Sequence, residues 1–245
     1  MAALGDAGFR CVALDLRGYN RSERPAGVEA YALPLLVEDI AAVVRALGGR
    51  VHVVGHDWGG LLAWAFAGRY PQLLDRLVTI NSPHAAIYHR KLWLPQQLSR
   101  SWYVGFFGLP GGVAESVLSA NDYAWIRRVF QKVPYKKDAF SAAQIDEYVN
   151  ALKQPGALTA ALNYYRAGLR TRGGMSLAER ARTSVPTLVL WGEHDKALDV
   201  CLLDGLHEYA SNLTVKRFPQ AGHFLQNELP DEVSKELIEF LRAAT

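Results

Sequence analysis

Residues Gly55-His56-Asp57-Trp58-Gly59 stand between a short apolar run, Val51–Val54, and a stretch with apolar residues at helical spacing, Leu61, Ala65 and Phe66, which Pro71 stops. A strand that becomes a helix within so few residues must turn tightly, and the helix must approach the strand closely. Side chains flanking the turn are then excluded, which is what glycine supplies. The residue at the apex is pushed up at the carboxyl end of the strand, where open α/β sheets bind their ligands. Here that residue is Asp57, above a helix N-terminus that favours an anion. An Asp at this place can also be an ordinary N-cap, but the glycines on both sides and the strand before it favour a presented, reactive carboxylate.

The rest of the chain supplies the setting for that turn. Phe9–Leu16 reads as a buried strand and 17–22 as a polar loop. Tyr31–Leu47 carries Leu36, Ile40, Val43, Val44 and Leu47 at helical spacing and ends at Gly48-Gly49. Leu77–Asn81, Val185–Trp191 and Leu213–Phe218 read as three further strands, and Asp231–Ala243 as a terminal amphipathic helix. Alternating strands and helices predict an α/β fold, with a mostly parallel sheet and helices on its faces. From 83 to 180 the sequence is helical, aromatic and basic, with no convincing strand. Structureless connections beyond about 15 residues are uncommon, so this insertion is expected to be a helical cap. The expected division is a core of 1–82 and 181–245, interrupted by a cap of 83–180.

Composition excludes several classes. A chain of 245 residues, 50% hydrophobic, can bury one sizeable core. A net charge of +3 from 27 basic and 24 acidic residues is too mild and too mixed for a nucleic-acid binder. No apolar run reaches the ~18 residues of a membrane span, and the first residues lack a signal-peptide layout, so a cytoplasmic protein is expected. Cys11 and Cys201 are far apart and suggest neither a disulfide framework nor a metal site. Cys11 is expected to be a buried thiol in its strand. Neither metal nor organic cofactor is expected.

A base and its orienter can be placed by position. Ala221-Gly222-His223 follows the last strand on a glycine-containing loop, from which His223 can reach the turn. Trp191-Gly192-Glu193-His194-Asp195 follows the preceding strand, and Asp195 lies where a third triad member belongs, ahead of Asp199 and Glu193. Nucleophile, acid, base is a chain order in which such triads are built. Asp195 would then hold the His223 imidazole in one tautomer and stabilise its cation. Asn81 occupies the alternative place for the acid and cannot serve as one. His56 and His194 read as scaffold beside the motifs. Trp58 has two uses: its backbone N–H can stabilise an oxyanion formed on Asp57, and its ring can line the pocket.

A carboxylate nucleophile suits attack at saturated carbon and leaves an alkyl ester on the enzyme, which an activated water then cleaves. Carbon–halogen bonds and epoxides both fit. A halide leaving group needs N–H donors, whereas an epoxide oxygen leaves as an alkoxide and needs an acid such as a phenol.

Nearly the whole sequence resembles the α/β-hydrolase-fold epoxide hydrolase family. The resemblance rests on LDLRGYNRSERP (14–25), GHDWGG (55–60), YP (70–71), SWYVGFFGLPG (101–111), QPGALTAALNYYR (154–166), WGEHD (191–195) and AGH (221–223). GHDWGG is shared with haloalkane dehalogenases; the cap motifs are what favour epoxides. The resemblance implies two cap tyrosines that bind the epoxide oxygen, at Tyr103 and Tyr165, the latter chosen over Tyr164 because it directly precedes an Arg. It implies a small-molecule epoxide and water as reactants, a vicinal diol as product, a role in detoxification, no cofactor, and a homodimer among compatible assemblies. The alternatives are a haloalkane dehalogenase and a truncated or non-catalytic relative of the fold.

The sequence departs from the family at two points. The family's HGxP motif and N-terminal strands have no counterpart here, so the fold is expected without them, including a strand between Phe9–Leu16 and Val51–Val54. Either the chain is a truncated start or fragment of a full-length hydrolase, or the two flanking strands close up and pair directly. Asn20 stands where the family has Gly, and Asn tolerates the left-handed conformation.

Overall fold

The computed structural model describes residues 1–170 and 181–243. Four strands, β1 (Val51–His56), β2 (Leu74–Ile80), β3 (Thr187–Gly192) and β4 (Leu213–Phe218), pair in parallel in that order. The period-2 geometry of a strand divides their side chains between two cores. A short helix, α1 (Ala2–Asp6), opens the chain, and Leu77 of β2 and Val189 and Trp191 of β3 pack with α2 (Leu33–Ala46) and α3 (Trp58–Arg69). Val78 and Ile80 of β2 and Leu188 and Leu190 of β3 pack on the opposite face with the terminal helix, through Val233, Leu237 and Leu241. The central strands are apolar on both sides because both sheet faces are covered, as parallel sheets require.

The stretch expected to be a fifth strand is not one. Residues 9–16 form no strand and pair with none in the described structure. Val12 and Leu14 stay 49% and 42% exposed. Cys11 is only partly buried, its thiol 3.7 Å from the Phe9 carbonyl, rather than the buried core thiol expected. A strand is completed by a hydrogen-bonded neighbour, and an apolar pattern without one stays extended coil. Of the two expected outcomes, the flanking segments do not close up: β1 pairs only with β2 and forms the edge of the sheet. The loop that follows is built as anticipated at Asn20, which takes φ 43°.

Between β2 and β3 the described residues form helices and no strand, apart from an isolated parallel bridge of Thr183 to Ala210. The helices are α4 (Ala85–Lys91), α5 (Pro95–Leu98), α6 (Trp102–Phe107), α7 (Val113–Lys132), α8 (Ala142–Lys153) and α9 (Ala157–Arg170). The remainder of the expected insertion, 171–180, lies outside the described residues. α8 starts at a capping box, in which Ser141 and Gln144 satisfy each other's backbone N–H groups. α9 is fixed by Arg166, whose guanidinium makes paired contacts of 2.7 and 2.8 Å to Glu115 of α7 and also donates to the Leu109 carbonyl. After β4 come α10 (Leu225–Glu228) and α11 (Pro230–Arg242).

Candidate active site

The β1–α3 turn is as tight as its glycines demand, though not at every one of them. A Cβ on Gly55 would overlap the backbone of Gly59, and one on Gly60 would overlap Ser82. At Gly59 itself a Cβ would meet nothing within 4 Å, so the steric requirement sits at Gly55 and Gly60, not at the second motif glycine. Asp57 takes φ 50°, ψ −119°, a conformation non-glycine residues rarely adopt. Its carbonyl accepts 2.7 Å from the Ser82 hydroxyl, which ties the turn to the end of β2. By position Asp57 is the N-cap of α3, yet its side chain makes no capping bond. The carboxylate is left presented, as a reactive group needs and a cap does not.

His223 approaches that carboxylate. Its Nε2 is 3.5 Å from Asp57 Oδ2, and its Nδ1 is 2.8 Å from Asp195 Oδ2. Asp195 is fully buried, and its other oxygen accepts from the backbone of Ala197 and Leu198 at 2.7 and 2.9 Å. Asn81 Nδ2 donates to Asp195 Oδ2 at 2.8 Å, while its amide oxygen accepts from Gly192 N. So the residue in the alternative acid position holds the acid. His56 donates through Nε2 to the His223 carbonyl at 2.8 Å, and the two rings lie 4.8 Å apart.

The electrostatics of the group follow from burial and charge. Burial works against the His223 cation, but the charge and hydrogen bond of Asp195, joined by the charge of Asp57, outweigh it and raise the pKa to about 9. Burial, with the His223 cation beside it, drives His56 down to about 4 and keeps it neutral. Asp195 is held below the ordinary carboxylate range: burial opposes this, but His223 and the two backbone N–H groups prevail.

Both chosen tyrosines reach this group. Tyr103 and Tyr165 have ring centroids 6.2 Å apart, and Phe107 packs on each at 5.4 and 5.0 Å. The Trp58 ring meets Tyr165 edge-on at 5.2 Å. Burial raises both hydroxyls well above the ordinary phenol value, and the Asp57 charge adds to each. They therefore stay protonated as donors. Tyr164 is committed elsewhere, donating to the Arg17 carbonyl at 2.7 Å. Tyr19, which nothing in its motif singles out, is also raised by burial and by the Asp57 charge. A cleft of about 410 Å³ lies against Leu16, Arg17, Asp39 and Tyr164, but its lining includes none of Asp57, His223, Tyr103 or Tyr165. It marks where 14–25 parts from α2, not the reacting groups.

The role of Asn81 in holding Asp195, and the places of Ser82 and Tyr19 in the site, were not legible, because their partners lie far away in the chain. A polar residue directly after a β-strand is the one signal that could have pointed to Asn81 and Ser82. No group of three or more potential metal ligands occurs among the described residues.

The alpha/beta hydrolase fold family matches residues 1–229. Epoxide hydrolase 3 of Xenopus tropicalis is 37% identical over 96% of this chain and 65% of its own length, so the chain spans just under two thirds of that relative. The AB hydrolase superfamily protein YfhM of Bacillus subtilis is 35% identical over 98% of this chain and 82% of its own. An epoxide hydrolase from Bacillus megaterium, solved with its product (R)-3-[1]naphthyloxy-propane-1,2-diol, superposes with a TM-score of 0.84 at 32% identity, covering 93% of this chain and 82% of that one.

Proposed function

Because this chain belongs to the epoxide hydrolase family of the α/β-hydrolase fold, we propose that it opens an epoxide with water to a vicinal diol through an ester on Asp57. The observation that carries this is the alignment of Asp57, His223 and Asp195 at 3.5 and 2.8 Å beside two partly buried tyrosines whose hydroxyls feel the Asp57 charge. The helices between β2 and β3 serve as the cap that supplies the tyrosines.

A carboxylate oxygen of Asp57 attacks one ring carbon and the C–O bond breaks. The electron pair goes to the epoxide oxygen, which takes a proton from Tyr103 or Tyr165. Ester formation removes the Asp57 charge, and with it one of the influences that hold the His223 pKa near 9. The imidazolium passes its proton to the tyrosinate left by ring opening and is then free to act as a base at the step that needs one. It deprotonates a water that attacks the ester carbonyl, and the resulting oxyanion is met by the Trp58 backbone N–H. That group sits at the first position of α3, where a helix provides no acceptor of its own. Collapse breaks the bond between the acyl carbon and the alkyl oxygen, His223 gives the water's first proton to the departing diol, and the second proton, left on the Asp57 carboxyl, passes to His223 and restores the starting ion pair.

Oxygen labelling tests this. Because water attacks the acyl carbon, a single turnover in heavy-oxygen water labels the Asp57 carboxylate and leaves the diol unlabelled. Later turnovers carry label into the diol. Label that never enters Asp57 over many turnovers sinks the ester mechanism. A cytoplasmic site of action belongs to the same reading, supported by two unpaired thiols. No described helix is long and apolar enough to cross a membrane.

A further inference from the structure

Glu228 is a carboxylate 3% exposed that the reaction above does not use. It closes α10 and is followed by Leu229, which is anchored in the core beneath the sheet together with Leu225. Its Oε2 accepts from Gly222 N at 3.1 Å, from Tyr135 N at 2.9 Å and from Lys136 N at 3.0 Å. Gly222 directly precedes His223, and Tyr135–Lys136 lie just beyond α7. A single anionic oxygen thus gathers backbone donors from the base loop and from the helical insertion. The same insertion segment also braces the acid loop. The Tyr135 ring stacks on His194 at 4.0 Å and 5°, and Lys196 Nζ donates to the Lys132 carbonyl at 2.7 Å. His194 N in turn donates to the Ala221 carbonyl at 2.9 Å, joining the acid and base loops.

We propose that Glu228 is a positioning residue for the base, holding the His223 loop at its reacting distance by binding it to the 135–136 backbone. The proposal rests on the ester mechanism above, in which His223 is needed for ester hydrolysis and not for attack by Asp57. Loosening the base loop therefore slows the second step and spares the first. Three convergent N–H donors also explain why this side chain can be buried: each replaces a hydrogen bond lost to water.

Two substitutions separate reach from charge. Glu228→Asp keeps the charge but withdraws the carboxylate by one methylene; Glu228→Gln keeps the reach, its amide oxygen able to accept all three bonds, and loses the charge. Rapid mixing with an epoxide resolves ester formation from ester hydrolysis. Glu228→Asp should form the ester at the wild-type rate and hydrolyse it roughly 10- to 100-fold more slowly, the scale of a misplaced catalytic group. Glu228→Gln should hydrolyse it within a few-fold of wild type, on the same scale of reasoning. Wild-type hydrolysis by Glu228→Asp, or a Glu228→Gln as slow as Glu228→Asp, overturns the assignment while leaving the ester mechanism standing. No ester in the wild type sinks both. Should the shorter side chain prevent folding, amide exchange in the wild-type protein decides. Gly222, Tyr135 and Lys136 should be protected together, and rapid exchange at Gly222 overturns the proposal.

Discussion

At the scale of single residues, the site is a division of labour among groups whose protonation is set by their neighbours. His223 begins as a cation because two carboxylates face it, and becomes a base when one of them is esterified. Replacing it with Gln should therefore trap the ester, seen by mass spectrometry as the Asp57 peptide heavier by the mass of one epoxide, with diol release lowered by at least ~10³-fold. An unmodified peptide and undiminished turnover would contradict this. Tyr165→Phe should lower epoxide opening by about 10- to 100-fold, since Tyr103 remains as a donor, and the double variant should lose more. If the site were instead a dehalogenase, halide release from a bromoalkane panel would be substantial and indifferent to Tyr165→Phe. Asp57, His223 and Asp195 were legible because each occupies a fixed place after a strand. Tyr103 and Tyr165 could be chosen only by resemblance, since an aromatic-rich helix reads equally well as packing. Asn81 was legible by its place but not by its role, and Glu228 was silent, because their partners lie far away in sequence, at Asp195 and at Tyr135–Lys136.

At the scale of elements, α9 matters because it carries Tyr165 beside Arg166. The Arg166–Glu115 pair is 8% and 19% exposed in its side chains, and it pins α9 to α7. Glu115→Ala would leave the guanidinium without its charge partner and should destabilise the protein by roughly 3 kcal/mol in denaturant unfolding. Epoxide turnover should fall with it, because Tyr165 then loses its fixed helix. A change below about 0.5 kcal/mol, the usual size of a surface effect, would show the pair to be incidental. The helices α2, α3 and α11 were legible from their spacing to within a few residues. Residues 9–16 were not, although their pattern is as strand-like as that of Leu213–Phe218. The difference is external: Leu213–Phe218 lies beside β3 and is paired, whereas 9–16 pairs with no strand among the described residues.

At the scale of the whole molecule, histidines make stability a two-sided function of pH. His223 is raised to about 9 from 6.5, so its pairing contributes fully below pH 6.5 and is lost as pH climbs through 9. His56 and His84, both lowered to about 4 chiefly by burial, act in the opposite sense, and stability falls as pH drops from 6.5 towards 4. Thermal unfolding should accordingly peak near pH 6.5, and Asp195→Asn should flatten the alkaline limb while leaving the acid limb. A variant with an unchanged alkaline limb would remove His223 as its cause. The alternation of strand-like and helical apolar patterns decided by itself that a parallel sheet would be covered on both faces, because period and hydrophobicity are local properties of the chain. The glycine-flanked turn likewise decided which carboxylate would be presented. Only the tertiary structure decided how many strands the sheet would hold, since pairing needs a neighbour. It alone decided which polar residues hold the triad, since hydrogen bonds across more than a hundred residues leave no mark on spacing. The sequence named Asp57; the fold assembled what surrounds it.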